Sequence, residues 1–237
     1  MNNNSQSTIN SDNYYKIIAP SYQELSGKRI KYLTAIENLV AKYATCKIEK
    51  YLDAGAGDGL RALRIAKAVG ADITTLLDSC SEMLPEPNFK QGIATLCMNI
   101  GELNQPDTYD LITCLWNVFG HIPSYDERLN ALTAMREALK SEGRLIIDVN
   151  NRYNFEYGSK NVIKNLIQGL VKPNQRGNYN LNCNGEMHTV HIASHLEMLG
   201  LIRKAKLNIV AQHFVSYRSG ALARYPWQGQ LFYVLSR

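Results

Sequence analysis

Apolar positions along this 237-residue chain follow two patterns, helical spacing and short continuous runs. Strands and helices alternate from residue 48 to residue 149, which predicts a parallel sheet covered by helices on both faces. Helical spacing predicts helices over residues 28–43, 60–69, 81–84, 125–140, 160–170 and 194–199, the last with Ser194 as its N-cap. Short apolar runs predict strands over residues 48–53, 73–77, 92–98, 111–116, 144–149, 202–217 and 230–235, with one or two more polar strands over 178–191.

The polar opening of the chain and the segment after residue 150 break this alternation. Residues 1–13 are uncharged apart from Asp12 and are predicted to be disordered, and they lack the apolar core of a signal peptide. We expect one domain over residues 14–237, with residues 14–45 as a helical cap and residues 150–192 as an insertion in the substrate region. No apolar run approaches the ~20 residues of a membrane span, so we expect a cytoplasmic protein without a membrane partner.

Charge and cysteine content narrow the function classes. The formal net charge is +5, but Lys and Arg are scattered, which favours a mildly basic surface over a nucleic-acid partner. The five cysteines form no CxxC pair, which predicts neither a disulfide framework nor a zinc site. His188, His191, His195 and Glu186 lie close in sequence, but their spacing matches no metal-ligand signature, so no metal is expected.

Glycines follow the first predicted strand in the run Y-L-D-A-G-A-G-D-G over residues 51–59. A strand, a glycine turn and a helix form a ligand cradle, because glycine lets the backbone approach a ligand and the helix start presents free N–H groups. A phosphate-binding loop would need Lys after the last glycine, and a dinucleotide loop would need Gly where this chain has Leu60. Asp53 and Asp58 would also repel a pyrophosphate and attract a ligand that carries an amino group and a positive sulfur.

The glycine run and the segments after it resemble the motifs of class I S-adenosylmethionine-dependent methyltransferases. D-A-G-A-G-D-G is similar to motif I, and D-S-C-S-E-M-L over residues 78–84 is similar to motif II. Matching segments follow at residues 99–100, 109–112 and 139–147, so the resemblance covers residues 14–149 well and the C-terminal third in outline. Many members have Asp where this chain has Asn99, whose amide oxygen can still accept from the adenine amine. The resemblance implies a Rossmann-like α/β fold, with a seven-stranded, mostly parallel sheet and an antiparallel last strand at residues 230–235.

The resemblance implies S-adenosyl-L-methionine as the cofactor, with S-adenosyl-L-homocysteine as the product. Asp53, Gly55 and Gly57 would hold the methionine end, and Asp78 would take two ribose hydroxyls. Tyrosines and a basic residue of the N-terminal cap would help to hold the methionine carboxylate, although these tyrosines also fit a purely packing role. The implied cofactor-binding residues are Tyr15, Tyr22, Arg29, Asp53, Ala54, Gly55, Gly57, Asp78, Ser79, Met83, Asn99, Ile100, Leu115 and Asn117, of which Met83, Asn99 and Ile100 would contact the adenine.

A small-molecule acceptor would bind at the same sheet edge and receive the methyl group on nitrogen or oxygen. His121 is the candidate catalytic residue, because it follows the fourth strand and an unperturbed imidazole titrates near the working pH. A loop-orienting role for His121 stays open, as does a loop-anchoring role for the late aromatic residues. The candidate substrate-binding residues are Trp116, His121, Asn151, Arg152, Tyr153, Tyr217, Tyr225 and Trp227.

Three other functions remain open from sequence. A nucleic-acid methyltransferase is compatible with the positive charge, but the fourth strand ends in L-W-N-V rather than in the loop typical of base amino methylases. A nucleotide-dependent oxidoreductase would have to bind NAD(H) despite Leu60 and Asp53. A non-catalytic S-adenosylmethionine-binding protein would keep the fold without the activity. The sequence does not distinguish a monomer from a homodimer.

Overall fold

A twisted sheet runs through the centre of the protein. The computed structural model describes residues 8–18, 24, 27–44, 47–171, 176–183 and 186–237. Its strands are β1 (Thr8–Ile9), β2 (Lys50–Ala54), β3 (Ile73–Asp78), β4 (Ile93–Cys97), β5 (Tyr109–Cys114), β6 (Leu139–Val149), β7 (Asn178–Cys183), β8 (Glu186–His191), β9 (Asn208–Val215), β10 (Leu222–Ala223) and β11 (Gln230–Ser236). Its helices are α1 (Ser11–Ile18), α2 (Ile30–Tyr43), α3 (Leu60–Val69), α4 (Tyr125–Ala138), α5 (Ser159–Val171) and α6 (His195–Lys204).

The main sheet has the strand order β10-β9-β11-β6-β5-β2-β3-β4. Strands β2 to β6 pair in parallel, and β11 is antiparallel to both of its neighbours, β6 and β9. The predicted Rossmann-like sheet with an antiparallel last strand is therefore confirmed. Its eighth strand, absent from the prediction, is the two-residue β10 at the edge.

Helices bury an apolar stripe on each face of this sheet. One core joins α2 and α3 to the sheet through Ile36, Val40 and Ile65, and the other joins α4 and α6 through Leu132, Met135 and Leu201. Every residue of β5 is buried, as expected of a central parallel strand. Helix α3 ends where predicted, because Gly70 adopts the left-handed conformation at the C-cap with φ +68°.

Four local predictions differ from the structure. Residues 81–84 form a turn instead of a short helix, and α6 continues to Lys204, so that the strand predicted from residue 202 begins only at Asn208. Residues 8–13, predicted to be disordered, form β1 and the start of α1, because the β1 backbone pairs with β8 and the Asp12 carboxylate accepts from Ser79 Oγ at 2.6 Å. Residues 1–7 lie outside the described part of the chain.

The inserted segment packs over the carboxyl edge of the main sheet. Strands β7 and β8 form an antiparallel hairpin, and β1 adds in parallel to β8 to complete a small second sheet. Strand β8 contacts the short 3-10 helix Val118–His121, which follows β5. The insertion therefore lies where ligands bind in doubly wound α/β sheets.

The turn after β5 is held in an unusual backbone conformation. Trp116 and Asn117 have φ values of +61° and +59°, in the left-handed region that costs about 1–3 kcal/mol for a residue other than glycine. Buried Asp148 stabilises this turn, because its carboxylate accepts from Trp116 N–H and from the Tyr32 hydroxyl, each at 2.5 Å. The Asn117 side chain then accepts from Asn150 N–H at 2.9 Å, which ties the turn to the end of β6.

We expect Gly120→Ala to destabilise the protein by about 2 kcal/mol through overpacking. A Cβ at this position would lie 2.3 Å from the carbonyl oxygen of His191 and 2.4 Å from Asn117 Nδ2, so the insertion and the turn would have to separate. Urea unfolding measures this change. The matched control is Gly200→Ala in α6, where a Cβ meets no atom within 4 Å and the free energy of unfolding should rise by about 0.5 kcal/mol. Equal midpoints for the two variants would contradict the tight packing at Gly120.

Candidate active site

A cavity of about 750 Å³ lies at the carboxyl ends of β2, β3, β5 and β6. Its lining includes the glycine turn after β2, the end of β3, His121 and part of the insertion. This volume is typical of a site for a ligand of cofactor size and a small second molecule. The cavity is lined by residues from segments far apart in sequence, among them Gly55, Gly57, Asp78, Ser79, Asn99, Ile100, Trp116, Asn117, His121 and Tyr217.

The glycine turn packs directly against the residue that follows the β5 turn. Gly55, Gly57 and Gly59 all have positive φ, between +56° and +80°, which only glycine adopts at low cost. A Cβ on Gly55 would lie 2.3 Å from Val118 Cγ1, so any side chain there would push the two segments apart. The N–H groups of Gly55 and Ala56 both donate to the Leu77 carbonyl, at 2.7 and 2.9 Å. The bend is therefore fixed against β3 on one side and against Val118 on the other.

Asp78 connects the glycine turn to the end of β3. Its Oδ2 accepts from Gly57 N–H at 2.8 Å and its Oδ1 accepts from Cys80 N–H at 2.9 Å. Burial raises the pKa of Asp78, while the two backbone N–H donors oppose that rise. The carboxylate lines the cavity and remains able to accept further hydrogen bonds, as a ribose-binding acid must.

Asp53 lies underneath the turn and does not line the cavity. Its side chain is fully buried, Oδ1 accepts from Thr113 Oγ1 at 2.5 Å, and the Arg61 guanidinium is 3.8 Å from Oδ2. Burial raises the pKa of Asp53, although Arg61 and Thr113 favour its charged form. The prediction that Asp53 contacts the methionine end directly is therefore not supported. Asp53 is the second-to-last residue of β2, and its carboxylate packs into the core beneath the glycines.

The predicted adenine contacts divide into two groups. Asn99 and Ile100 line the cavity at the start of a short 3-10 helix, where Asn99 is exposed and Ile100 is buried. Met83 is buried and lies outside the cavity lining.

Two other predicted cofactor contacts, Ala54 and Leu115, are also fully buried core residues outside the cavity lining. Each lies at the buried end of a central strand.

The N-terminal cap closes one side of the cavity through α1. Besides the contact between Asp12 and Ser79, Lys16 Nζ lies 2.8 Å from Glu82 Oε1, so both ends of α1 are attached to the segment after β3. Tyr15 lines the cavity. Arg29 also lines it, with its guanidinium 4.3 Å from the ring centroid of Tyr217. The predicted contact Tyr22 lies outside the described residues.

A cluster of aromatic rings surrounds His121 at the other end of the cavity. His121 Nδ1 and His188 Nε2 are 3.0 Å apart, and the Tyr14 ring stacks 4.5 Å from His188 and 5.7 Å from His121. Tyr15 packs against His121 at 5.2 Å. Burial first, and His188 second, lower the pKa of His121 to about 3. The imidazole is therefore neutral at physiological pH, and it is suited to accept a hydrogen bond rather than a proton.

Other predicted substrate-binding residues hold the insertion in place. Asn151 and Arg152 are buried: Asn151 N–H donates to Gln230 Oε1 at 2.7 Å, and Arg152 Nη2 lies 3.3 Å from Glu197 Oε2. Tyr153 packs beneath Arg152, and Tyr225 and Trp227 stack on each other at 4.7 Å. None of these five lines the cavity, in contrast to Trp116 and Tyr217, whose indole N–H and hydroxyl are 3.3 Å apart.

Sequence reasoning missed His188, Tyr14 and Asp12. His188 lies on β8 and is buried against His121, 67 residues earlier in the chain. No local spacing links these two residues, since they meet only because β8 packs against the segment after β5. The sequence signal for the Asp12 contact is that Asp12 carries the one charged side chain of the polar opening segment.

Comparison with known proteins finds similarity to methyltransferases. Residues 52–143 match the family described as methyltransferase domain. The chain is also similar to the glycine/sarcosine N-methyltransferase of Halorhodospira halochloris, at 34% identity over 109 residues. That match covers 43% of this chain and 40% of the relative, so the chain matches less than half of that protein's length.

Solved structures share the fold at low sequence identity. The Burkholderia thailandensis 1,6-didemethyltoxoflavin-N1-methyltransferase, solved with 1,6-didemethyltoxoflavin and S-adenosylhomocysteine, aligns with a TM-score of 0.63 at 12% identity, over 98% of this chain and 92% of that chain. A putative methyltransferase in complex with the Haloferax volcanii Trm112 methyltransferase activator aligns with a TM-score of 0.66 at 14% identity. The alignment covers 95% of this chain and 96% of that chain. The match to the methyltransferase-domain family covers residues 52–143, and the strand order and the fold are similar to those of solved S-adenosylmethionine-dependent methyltransferases.

Proposed function

We propose that this chain transfers a methyl group from S-adenosylmethionine to a nitrogen or oxygen atom of a small molecule held beside His121. The observation that carries the proposal is the continuity of one cavity from Asp78 and the glycine bend to His121. A donor at the first end and an acceptor at the second would be aligned within a shared enclosed space. Alignment is the main demand of an in-line displacement at an activated carbon.

The residues of the donor end fit this cofactor. S-adenosylmethionine, when bound, supplies a methyl group on a positively charged sulfur. The cavity lining includes four carboxylates against Lys28 and Arg29, and this acidic excess favours a cationic ligand over a phosphate. Asp78 would hold the ribose, Gly55 and Gly57 would allow close approach of the backbone, and Arg29 would face the methionine carboxylate. The four lining acids are Asp12, Asp78, Glu102 and Glu127.

The acceptor end fits a small molecule. Helix α1 and the β7–β8 hairpin lie over it, with Tyr14, Leu181 and Val190 in the cavity lining. A neutral imidazole at His121 can orient an acceptor through a hydrogen bond. Nitrogen is favoured, because the curated relative is named as an N-methyltransferase of glycine and sarcosine and the toxoflavin neighbour as an N1-methyltransferase.

We expect Asp78→Asn to weaken S-adenosylhomocysteine binding about 10- to 100-fold, because a charged acceptor of ribose hydroxyls is lost. Asn keeps one oxygen for the Gly57 N–H, so the glycine bend should persist. Isothermal titration calorimetry measures the affinity. The matched control, Asp72→Asn, removes an exposed carboxylate just before β3, at the opposite end of that strand from Asp78, and should bind like wild type. Wild-type affinity in Asp78→Asn would remove this residue from the ribose role.

We expect the full chain to convert S-adenosylmethionine to S-adenosylhomocysteine in the presence of a suitable methyl acceptor. The acceptors to test are a panel of small amines and hydroxyl compounds that includes glycine and sarcosine. On the best acceptor, His121→Ala should lower kcat about 100-fold and leave S-adenosylhomocysteine affinity unchanged. Its lowered pKa keeps His121 neutral over roughly pH 5 to 8. The kcat of the wild type should therefore not fall as the pH drops through about 6.5, where an ordinary histidine becomes protonated.

His195→Ala is the matched control for this experiment, because His195 lies on α6 outside the cavity lining and its Nδ1 contacts the Tyr233 hydroxyl. It should keep the wild-type kcat. A full wild-type rate in His121→Ala would leave His121 outside the chemistry. Turnover with none of the panel, together with tight salt-dependent binding of RNA, would favour a nucleic-acid acceptor instead.

A further inference from the structure

The C-terminal third of the chain carries a strong positive bias that the total charge conceals. Residues 157–237 contain ten Lys and Arg residues against two acidic residues, Glu186 and Glu197. The first 156 residues contain 16 basic and 19 acidic residues. Charge asymmetry of this kind is typical of a chain with a polyanionic partner, and it corrects the view that the basic residues are evenly scattered.

Helix α5 presents an apolar stripe to solvent within this basic third. Ile163, Leu166, Ile167 and Val171 follow helical spacing on one side, and Ile163, Ile167 and Val171 are 55%, 56% and 71% exposed. The opposite side holds buried Val162, and Asn165, whose Nδ2 donates to the Arg152 carbonyl at 3.1 Å. The helix is therefore attached by one side and leaves a complete apolar stripe uncovered.

Exposed aromatic side chains lie on two neighbouring 3-10 helices, of which the first contacts α5. The 3-10 helix Phe155–Tyr157 contacts both α5 and the 3-10 helix Pro226–Gln228. Phe155 and Trp227 are exposed, and the Trp227 ring stacks on Tyr225 with nearly parallel planes. We call this surface the amphipathic face, and it consists of Phe155, Ile163, Leu166, Ile167, Val171, Tyr225 and Trp227.

Basic side chains lie at the edge of the amphipathic face. Lys160 and Lys164 are exposed on α5 beside the stripe, and the Arg224 guanidinium lies 5.4 Å from the Tyr225 ring centroid. No acidic residue occurs between residues 157 and 185 or between residues 198 and 237. Among the described residues no helix is long and apolar enough to cross a bilayer, so a lipid contact here would be a surface contact.

We infer that the amphipathic face docks this protein on an anionic lipid surface. Aliphatic side chains, interfacial Trp and Tyr rings and flanking lysines are the combination that an amphipathic helix uses to lie in the headgroup region. A second copy fits less well, because a two-fold contact through this face would bring the lysines of both copies together. Nucleic acid fits less well too, because it would leave the aliphatic stripe without an apolar partner.

This docking would place the cavity close to the bilayer. Glu156, next to Phe155, accepts from Tyr217 N–H at 2.7 Å and from Ser216 Oγ at 2.5 Å, and Tyr217 lines the cavity. The amphipathic face and the cavity are thus connected through one half-buried carboxylate. The inference does not depend on the identity of the methyl acceptor.

Flotation of the full chain with lipid vesicles tests this inference. We expect it to float with phosphatidylcholine vesicles that contain about 30 mol% phosphatidylserine and to stay behind with phosphatidylcholine alone, with binding lost at high salt. Ile163→Gln with Ile167→Gln should weaken the partition about 10-fold. Lys160→Gln with Lys164→Gln should remove the preference for anionic lipid.

Matched controls come from exposed positions elsewhere in the fold. Leu196→Gln removes a 78% exposed apolar side chain from α6, and Lys67→Gln removes an exposed lysine from α3, and both should float like wild type. Because all substituted residues are exposed, far-ultraviolet circular dichroism should be unchanged. No flotation with anionic vesicles at low salt would overturn the inference. So would equal losses in the controls, a dimer that Ile163→Gln dissociates, or RNA binding that the α5 substitutions abolish.

Discussion

The Gly55 backbone packs so closely against Val118 that no side chain fits between them, and the rest of the site depends on this contact. It joins the glycine bend after β2 to the turn after β5. Asp78 is attached to the bend through Gly57 N–H, and His121 follows Val118 by three residues. The contact therefore sets the separation between Asp78, in the proposed donor site, and His121, in the proposed acceptor site. Methyl transfer depends on that separation, because the reacting carbon needs alignment more than activation.

The two ends of the cavity differ in their electrostatics. In the proposed donor site Asp78 has access to the cavity while backbone N–H groups stabilise its charge. Around His121 the environment is aromatic and poorly solvated, so the imidazole stays neutral. A positively charged donor and a neutral acceptor fit this division, because the charge that the donor loses on transfer lies at the acidic end. Buried Asp148 supports both ends by fixing the turn at Trp116.

Local spacing was enough to predict the sheet, its antiparallel last strand and the cavity positions of Gly55, Gly57, Asp78 and Asn99. These features depend on contacts between neighbouring strands, which periodicity and turn chemistry specify. Direct contact by Asp53 was predicted and is not supported, because alternation along β2 turns its side chain into the core. His188 was missed because its partner is 67 residues away and the contact forms only after the insertion has packed on the sheet. The order of residues 8–13 also depends on tertiary contacts, since their polar sequence has no periodicity of its own.

The central claim is that the acidic glycine bend holds an adenosyl sulfur compound and disfavours a dinucleotide. Thermal unfolding of the full chain tests it directly, with S-adenosylhomocysteine at about 100 times its dissociation constant and NAD(H) at the same molar concentration. S-adenosylhomocysteine should raise the melting temperature by about 5 °C or more, because ligand binding to the native state alone contributes about 2.7 kcal/mol under these conditions. NAD(H) should leave the melting temperature unchanged. A shift with NAD(H) and none with S-adenosylhomocysteine would contradict the account.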